Sequence, residues 1–406
     1  MKKVFLILFV FVLNSPVFSQ DPVFTLVKVG FDNFNFFYDI KASPEGTLWV
    51  CSNEGNVFRK LGSSTTWEHI SDYPGTGAEA NALFVAEDDD VWIISYGNGI
   101  FHFNGTKWEE VSLTNVPETN KWNCVSGDLN GNVWFGSNDK GLYKYSAGQW
   151  TNYSMSNSGI LSDQINDLLA TPSGKLFVGG YRTLQTFESN NWVDLGFTSN
   201  IGFSERTYSF AIDNDGLVYI ATTKGLFKFK DDKLEIYGDT KNRDVYYAVF
   251  DRNNVLWFFG EEQAFDNYLY RCDNGTCKKL DDKNLPHQCS GLAVGSDNLL
   301  YLIGSLGPNI LVIEDKTTNS DKELLRQPMV EISPNPASDF LSIKSPQSLK
   351  EISLFNSAGQ SLFAAKNINQ THFMLNLQGR GKINPGVYVL LIKTEIGTCR
   401  KKIMIQ

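Results

Sequence analysis

The alternation of apolar and polar positions predicts short β-strands grouped in fours. Residues 208–237 show one complete group, with a tight Asp-Asn-Asp-Gly turn at 213–216. The four predicted strands of this group are residues 208–212, 217–221, 226–230 and 234–237. Alternation with a period of two indicates strands, and Asn and Gly readily form the turns between them. No helical periodicity is present, so the segment predicts an antiparallel meander that must stack on copies of itself to bury a core.

Two ladders of residues repeat along the chain with one period. The first is an aromatic residue in the second predicted strand of each group: Trp49, Trp92, Trp134, Phe177, Tyr219, Trp257 and Tyr301, spaced 43, 42, 43, 42, 38 and 44 residues apart. The second opens the fourth strand: Phe24, Trp67, Trp108, Trp150, Trp192, Leu234 and Cys277. Four strands in a period of about 40–45 residues are typical of the blades of a β-propeller.

The ends of the repeat predict how the ring closes. Residues 24–27 form a fourth strand with no blade before it, and residues 310–313 form a third strand with no fourth after it. We therefore expect the N-terminal strand to complete the last blade, which removes the exposed edges. The prediction is an all-β fold with a seven-bladed propeller over residues 20–313. An eight-bladed ring, with a degenerate unit within residues 152–164, is the alternative.

The segment Val-Trp-Phe-Gly-Ser-Asn-Asp-Lys-Gly-Leu-Tyr-Lys-Tyr at 133–145 resembles the short repeat of two-component-regulator propellers. Residues 46–59, 91–103 and 216–229 are similar, whereas the fourth, sixth and seventh units depart from the pattern. The resemblance covers about residues 24–313. It implies a propeller fold with a sensing or binding role, and it implies neither DNA binding nor kinase activity.

The N-terminus has the features of a secretory signal peptide. Lys2 and Lys3 precede a ten-residue apolar run, and small or apolar residues lead up to Ser19 and Gln20. This pattern predicts a signal peptide over residues 1–19, cleaved between Ser19 and Gln20. The run is too short to cross a bilayer as a helix, and we expect no transmembrane segment in the mature chain.

Charge divides the chain into an acidic body and a basic tail. The whole chain carries −9, whereas residues 330–406 carry nine basic and four acidic side chains. The tail is therefore +5, and residues 20–329 are −16. A strongly acidic body repels phosphate backbones, so nucleic acid is an unfavourable partner. The change of sign, together with the polar residues 314–329, predicts a linker between two domains.

Residues 330–406 predict a second, smaller β domain of Ig-like sandwich type. The expected strands are residues 340–343, 351–355, 361–364, 372–377 and 386–393. The segment resembles the type A C-terminal sorting domain of the type IX secretion system of Bacteroidetes along its whole length. The matching positions, in the order of that family, are Pro334, Asn335, Pro336, Gly359, Gly386 and Tyr388, followed by the basic residues Arg400, Lys401 and Lys402.

The resemblance to the sorting domain implies an export route and a cellular destination. It implies passage through the periplasm, recognition of the tail at the outer membrane, and removal of the tail by a sortase. The partners so implied are the secretion machinery and its sortase, and the destination is the cell surface or the medium. An ordinary carbohydrate-binding or adhesion sandwich is the alternative for this domain, and the three basic residues also fit a simple solvated strand end.

The six cysteines suit a secreted protein in an oxidising compartment. Cys272 and Cys277 bracket a predicted hairpin turn, so one interpretation is a disulfide across that hairpin. The other interpretation is a zinc site built from these two residues with His287 and Cys289, but their spacing fits no common zinc-binding pattern. Cys51, in an interior strand, is expected to be a small buried hydrophobic residue.

Catalytic motifs are lacking in the sequence. It has four histidines and neither a G-x-S-x-G nor an H-E-x-x-H motif. The acidic clusters at 88–90 and 213–215 coincide with predicted turns, which explains them better than paired catalytic carboxylates or a calcium loop. We therefore expect no catalytic residues, no cofactor and no metal.

A binding surface is the expected use of the propeller. Loops between the second and third strands, and between blades, gather at one face around the channel. Candidate binding residues there are Tyr96, Trp122, Tyr181, Arg182, Arg206 and Arg243. A glycan or another surface protein is the expected ligand of a binding or adhesion module. The alternative is a secreted lyase or glycosidase that uses the central face.

Overall fold

The structure, a computed structural model, describes most of the chain. The described residues are 21–29, 36–62, 64–70, 79–87, 89–128, 130–171, 174–196, 206–261, 267–273, 275–316, 330–334, 336–356, 361–377, 383–394 and 398–405. The predicted signal peptide with Ser19 and Gln20, and the sorting-domain positions Asn335 and Gly359, lie outside them.

The first 28 strands of the described chain form four-stranded antiparallel sheets. Their bounds are β1 (Val23–Lys28), β2 (Phe37–Ala42), β3 (Leu48–Ser52), β4 (Val57–Lys60), β5 (Glu68–Ile70), β6 (Ala80–Glu87), β7 (Asp90–Ser95), β8 (Gly99–Phe103), β9 (Trp108–Glu110), β10 (Trp122–Gly127), β11 (Val133–Ser137), β12 (Leu142–Ser146), β13 (Gln149–Tyr153), β14 (Ile165–Ala170), β15 (Leu176–Gly180), β16 (Thr183–Glu188), β17 (Asn191–Asp194), β18 (Thr207–Ile212), β19 (Val218–Thr222), β20 (Gly225–Lys230), β21 (Lys233–Ile236), β22 (Asp244–Phe250), β23 (Leu256–Glu261), β24 (Asn267–Asp273), β25 (Thr276–Leu280), β26 (Cys289–Val294), β27 (Leu300–Gly304) and β28 (Asn309–Glu314).

These strands confirm the seven-bladed propeller. Six blades are consecutive meanders, starting at β2, β6, β10, β14, β18 and β22, and the seventh has the order β1-β28-β27-β26. The first strand of each blade contacts the first strand of the next, and β26 of the seventh blade contacts β2 of the first. The alternative of eight blades is wrong, because residues 154–164 connect β13 to β14 without forming a sheet of their own.

The N-terminal strand closes the ring as the sequence predicts. β1 pairs antiparallel with β28 along its full length, from Val23 opposite Glu314 to Lys28 opposite Asn309. The last blade therefore takes its outer strand from the opposite end of the propeller sequence, and neither end leaves an unpaired sheet edge at this junction.

The aromatic ladder forms the contacts between neighbouring blades. All seven second-strand aromatics are at most 6% exposed. Each packs into the apolar cluster shared with the following blade: Trp49 lies with Leu83 and Val91, and Tyr301 of the last blade lies with Ile40 and Val50 of the first. Because a thin sheet buries little alone, these large rings supply much of the apolar burial that joins the blades.

A basic side chain from the third strand covers several of these rings. Arg59 lies 5.5 Å from the ring of Trp49, Lys144 lies 5.2 Å from Trp134, and Arg271 lies 5.9 Å from Trp257. In each case the two residues are directly opposite one another across the hairpin, a position where cross-strand pairs stabilise a sheet.

The structure confirms the proposed disulfide and the environment of Cys51. Cys272 and Cys277 are opposite residues of the β24–β25 hairpin, joined by an S–S bond of 2.05 Å. The alternative of a zinc site is not supported. Among the described residues, no three His, Cys, Asp or Glu side chains lie close enough together to hold a metal ion. Cys51 is fully buried, and burial raises the pKa of its thiol well above its usual value.

The C-terminal domain is an Ig-like β-sandwich, but its strands are longer than the sequence predicts. They are β29 (Glu331–Ser333), β30 (Phe340–Phe355), β31 (Ser361–Asn376), β32 (Gly386–Thr394) and β33 (Thr398–Ile405). Each of the two long strands joins two predicted short ones, because β30 and β31 stay paired through irregular register between Lys344 and Glu351. The first half of β30 pairs with β29 and the second half with β32, and both halves contribute apolar side chains to one core.

No helix in the described part of the chain is long and apolar enough to span a membrane.

The ladder makes a testable prediction about stability. Trp49→Ala should lower the free energy of unfolding by roughly 3–5 kcal/mol, because it leaves a cavity between the first two blades. Urea unfolding of the mature chain, followed by circular dichroism, measures the change. Val193→Ala on the outer strand of the fourth blade is the control, since Val193 is 46% exposed and should change stability little. Equal effects of the two substitutions would contradict a core role for the ladder.

Candidate functional site

One end of the propeller gathers most of the predicted binding residues. We call it the entry face, the end at which the first strand of every blade begins. In an antiparallel meander, the turn between the second and third strands and the connection to the next blade lie at this same end. Backbone hydrogen bonds tie the two together: the Tyr181 N–H donates to the Gln164 carbonyl over 3.1 Å, and the Thr223 N–H donates to the Arg206 carbonyl over 3.2 Å.

Five of the six predicted residues lie in these turns and connections. Tyr96 and Tyr181 are about half exposed, at 48% and 49%. Tyr181 forms an isolated antiparallel bridge with Arg206, and the Arg182 guanidinium lies 4.9 Å from the Tyr181 ring. Tyr181, Arg182 and Arg206 therefore form one group between the fourth and fifth blades. Arg243 lies in a separate environment beside Asp239, at 3.8 Å, and over a different aromatic ring.

Trp122 does not have the exposed position that the sequence suggests. Its side chain is 1% exposed and packs edge-on against Tyr143, with the ring centroids 5.1 Å apart. Trp122 is the first residue of β10, and that strand directs its ring into the core between the second and third blades. Its role is packing, so we remove it from the candidate ligand contacts.

A ring of residues that the sequence reasoning missed surrounds the mouth of the channel. The register of every first strand is irregular near its start, so one residue in each blade bulges out of the ladder. We call these residues the mouth ring: Tyr38, Asn81, Asn123, Asn166, Tyr208, Tyr246 and Ser290. All seven are half-buried. Each stands eleven residues before the ladder aromatic of its blade, and this constant spacing is the signal that could have revealed them.

The mouth ring opens into a central cavity of about 550 Å³. Six of its seven members line this cavity, all but Tyr246. Deeper along the first strands, Asp39, Lys41 and Asp167 also line it. Inner strands from all seven blades contribute to the wall, so the shape of the cavity depends on the closed ring.

The two channel carboxylates link neighbouring blades. Asp39 accepts a hydrogen bond from the Leu83 N–H of the second blade at 3.0 Å, and its other oxygen accepts one from Lys41 Nζ at 3.0 Å. Asp167 accepts a hydrogen bond from the Phe210 N–H of the fifth blade at 3.2 Å. Equivalent carboxylates in the first and fourth blades thus satisfy backbone donors of the blade that follows.

Burial shifts the pKa of Asp167 and of several other groups around the cavity. Desolvation raises the pKa of Asp167 to about 7, against the lowering effects of Lys41 and of backbone hydrogen bonds. Desolvation would lower the pKa of Lys41, but Asp39 and Asp167 hold it above its usual value, so the ammonium stays charged. Burial also raises the pKa of the Tyr208 and Tyr246 phenols, which therefore remain hydrogen-bond donors at neutral pH.

Asn166 differs from the other amides of the ring. Asn123 Nδ2 donates to the Ile165 carbonyl at 2.8 Å, and Asn81 Oδ1 accepts from the Tyr96 N–H at 2.5 Å. The amide oxygen and nitrogen of Asn166 are buried, and neither has a hydrogen-bond partner among the described residues. A buried amide without a partner is costly, so the amide of Asn166 has unused hydrogen-bonding capacity.

None of the four histidines lines the central cavity. His102 stacks on Trp92 and pairs with Asp90 at 2.9 Å, and His69 lies against Phe58 on the outer side of the first blade. His287 is exposed in a connection, and His372 belongs to the C-terminal domain, where it bonds to Ser342.

The described sorting-domain positions lie at the start, middle and end of the small domain. Pro334 follows β29, and Pro336 precedes Ala337, which bridges to Ile405 at the end of the chain. Gly386 opens β32, and Tyr388 is buried with its hydroxyl donating to the Asn384 carbonyl. The three basic positions are on β33, and in the backbone register they pair with three successive residues of β32: Arg400 with Leu391, Lys401 with Leu390 and Lys402 with Val389.

Comparison with known proteins identifies the small domain and the architecture of the large one. Residues 331–406 match the family described as the secretion system C-terminal sorting domain. The chain has no match among curated proteins.

Three solved structures are similar to the chain. PorZ of Porphyromonas gingivalis, an essential surface component of the type IX secretion system, has a TM-score of 0.56 at 18% identity, over 94% of this chain and 61% of that one. The extracellular domain of a putative hybrid two-component system from B. thetaiotaomicron has a TM-score of 0.57 at 14% identity, over 95% and 60%. A catalytically inactive histidine-to-alanine variant of virginiamycin B lyase from Staphylococcus aureus, with quinupristin, has a TM-score of 0.57 at 15% identity, over 72% and 100%.

These likenesses show the propeller fold. The chain spans about three fifths of the length of the first two structures. The sorting domain and the propeller architecture are both as the sequence predicts, and the sorting domain indicates export to the outer cell surface or into the medium.

The buried carboxyl of Asp167 predicts a pH-dependent effect on stability. Its pKa is higher in the folded chain than in the unfolded one, so the folded state binds the proton more tightly. The cost that ionised Asp167 imposes on folding is therefore complete above about pH 7, declines as the pH falls from 7 toward 4, and is absent below about pH 4. Asp167→Asn should raise the stability of the mature chain at pH 8, on the order of 1–2 kcal/mol, and should lose this advantage at pH 4.

Thermal unfolding of the mature chain at pH 4, 6 and 8 measures the effect. Asp232→Asn in the fifth blade is the matched control, because Asp232 is 89% exposed and should show no such pH dependence. An Asp167→Asn chain that is equally or less stable than the parent at pH 8 would contradict the burial argument.

Proposed function

We propose that this chain is a non-enzymatic binding protein that is displayed at the cell surface or secreted, and that it binds a glycan or another surface protein through the entry face of its propeller. In this proposal residues 1–19 direct passage into the periplasm and residues 330–406 direct passage across the outer membrane. The type IX secretion machinery and its sortase are the partners of the tail. Mature cargo is then released or attached to the surface.

The mouth ring is the observation that supports binding most directly. Seven blades of one repeated design place a half-buried Tyr, Asn or Ser at the same structural position around a cavity of about 550 Å³. Pockets that bind small ligands combine this order of volume with a few convergent polar groups. Tyr181, Arg182 and Arg206 extend the polar and aromatic surface next to the ring, so they remain proposed ligand contacts together with Tyr96 and Arg243.

The lyase or glycosidase alternative has weaker support. The likeness to virginiamycin B lyase is at 15% identity and concerns the fold. The inactive variant of that enzyme lacks a histidine, whereas the four histidines of this chain all lie away from the central cavity. The channel carboxylates accept backbone hydrogen bonds from neighbouring blades, which is a structural use of Asp39 and Asp167.

Binding and catalysis can be separated with purified mature protein. We expect the protein to be retained by immobilised glycans or by an envelope protein, and to leave a panel of polysaccharides intact. New reducing ends or unsaturated products in that panel would favour the enzyme instead. Failure to bind any glycan or envelope protein would contradict the proposed function.

The sorting role makes a prediction about location. Deletion of residues 330–406 should leave the propeller in the periplasm, because the signal peptide still acts and the outer-membrane signal is gone. Fusion of residues 315–406 to a periplasmic reporter should carry the reporter to the surface. Fractionation with surface protease treatment measures both. Normal surface delivery of the truncated chain would contradict the assignment of the tail.

A further inference from the structure

The mouth ring has two chemically different halves. The second, third and fourth blades contribute Asn81, Asn123 and Asn166, whereas the fifth, sixth and first blades contribute Tyr208, Tyr246 and Tyr38. Ser290 of the seventh blade lies between Tyr246 and Tyr38 in the order of the ring. Amides therefore line one side of the opening and phenol rings line the other.

We infer that this opening is a binding site for a neutral sugar ring. The inference deepens the proposed function and rests on it, because it names the ligand class and the residues of the same site. A pyranose has hydroxyl groups around its edge and C–H groups on its faces. Asn amides can donate to and accept from the hydroxyls, and Tyr rings offer apolar contact with a phenol hydroxyl beside it.

The aromatic half is preorganised by contacts within the protein. The rings of Tyr208 and Tyr246 pack edge to face at an interplanar angle of 71°, with centroids 4.8 Å apart. The guanidinium of Arg206 lies 5.6 Å from the centroid of the Tyr208 ring and supports it from the entry face. Tyr208 lines the cavity, so little of its side-chain freedom is lost when a ligand packs on its ring, which favours affinity.

Asn166 provides the polar half with a group that is free to bind. Asn81 and Asn123 already make hydrogen bonds to the backbone, of 2.5 and 2.8 Å. Asn166 lines the cavity, and neither of its amide atoms has a partner among the described residues. A sugar hydroxyl can donate to its oxygen or accept from its nitrogen, which relieves the cost of an unpaired buried amide.

The charges beneath the ring select against anionic sugars. Asp39 pairs with the ammonium of Lys41 below the ring, and the propeller body is strongly acidic. A uronic acid or sulfated sugar would therefore approach a region of like charge. Carboxylates accept strong hydrogen bonds from neutral hydroxyl groups, so a neutral sugar suits the floor of the cavity.

An oligosaccharide array tests the inference with the full mature chain. The array carries neutral hexose and N-acetylhexosamine oligosaccharides beside uronic-acid and sulfated ones. We expect binding to neutral members only. Asn166→Ala should weaken that binding by about tenfold without lowering the melting temperature, because it removes an amide that has no hydrogen-bond partner among the described residues. Tyr208→Ala should weaken it similarly, whereas Tyr208→Phe should keep part of the affinity.

Asn191→Ala is the matched control, since Asn191 is exposed on the outer strand of the fourth blade, away from the cavity. Binding of neutral sugars that is unchanged in both Asn166→Ala and Tyr208→Ala would overturn the inference and leave the proposed function standing, with the site elsewhere. Capture of an envelope protein with no sugar binding would overturn it in the same way. Absence of any sugar or envelope ligand would overturn the proposed function as well.

Discussion

The pairing of β1 with β28 is the interaction on which the architecture depends. Each blade buries its ladder aromatic against the blade that follows, so the last blade needs the first one as a partner. Tyr301 meets Ile40 and Val50 there, and Lys60 of the first blade pairs with Asp297 of the last at 3.2 Å. Strand β1 holds these two blades together by crossing from the start of the chain to the outer edge of the last sheet. Without it, the seventh sheet would have three strands and an exposed edge.

The contacts at this junction are close. Ser290 Oγ donates to the Phe37 carbonyl at 2.7 Å, joining the mouth ring of the last blade to the first strand of the first. Gly46 has a φ of +92°, and a Cβ atom there would lie 2.6 Å from the Cβ of Ser296. Glycine is required at this position for both its backbone conformation and its lack of a side chain. The first and last blades are therefore in close contact at this junction.

The geometry of the candidate site depends on the closed ring of blades. A bulge at the start of each first strand sets one side chain at the mouth, and seven such strands place seven side chains around one opening. The links from Asp39 to Leu83 and from Asp167 to Phe210 hold adjacent first strands at fixed separation. The same carboxylates face the cavity, so the groups that join the blades also determine its charge. Binding chemistry and ring stability are consequently coupled at Asp167.

Much of the fold follows from the sequence because repetition amplifies a weak local signal. One four-strand pattern is ambiguous, but seven aromatic residues at one period fix the blade count, and the unmatched strands at residues 24–27 and 310–313 fix the closure. The strands of the C-terminal domain were harder to predict, since polar residues at 345–348 suggest a break where β30 continues with an irregular register. Trp122 was expected on the binding surface but lies in the core. The repeat period does not determine whether the first side chain of a strand points to solvent or to the core.

The mouth ring was missed for a related reason. A bulge changes the direction of one side chain without changing composition, and Tyr, Asn and Ser share no obvious pattern when compared by residue type. Only their fixed distance from the ladder aromatic relates them, and that comparison needs the blades to be aligned first. Hydrogen-bond partners, such as those that distinguish Asn123 from Asn166, depend on the neighbouring blade and are visible only in three dimensions.

An engineered disulfide between the two ends of the propeller tests the closure most directly. Thr25 lies opposite Val312 in the β1–β28 pair, and directly opposed residues of antiparallel strands are close enough for a disulfide. We predict that the mature Thr25→Cys/Val312→Cys chain forms an intramolecular bond between these positions on mild oxidation, seen by peptide mapping, and melts at a higher temperature. Thr25→Cys/Glu314→Cys, which is out of register, should cross-link poorly. Efficient cross-linking of the out-of-register pair, or cross-linking of the matched pair only between molecules, would contradict the closed ring.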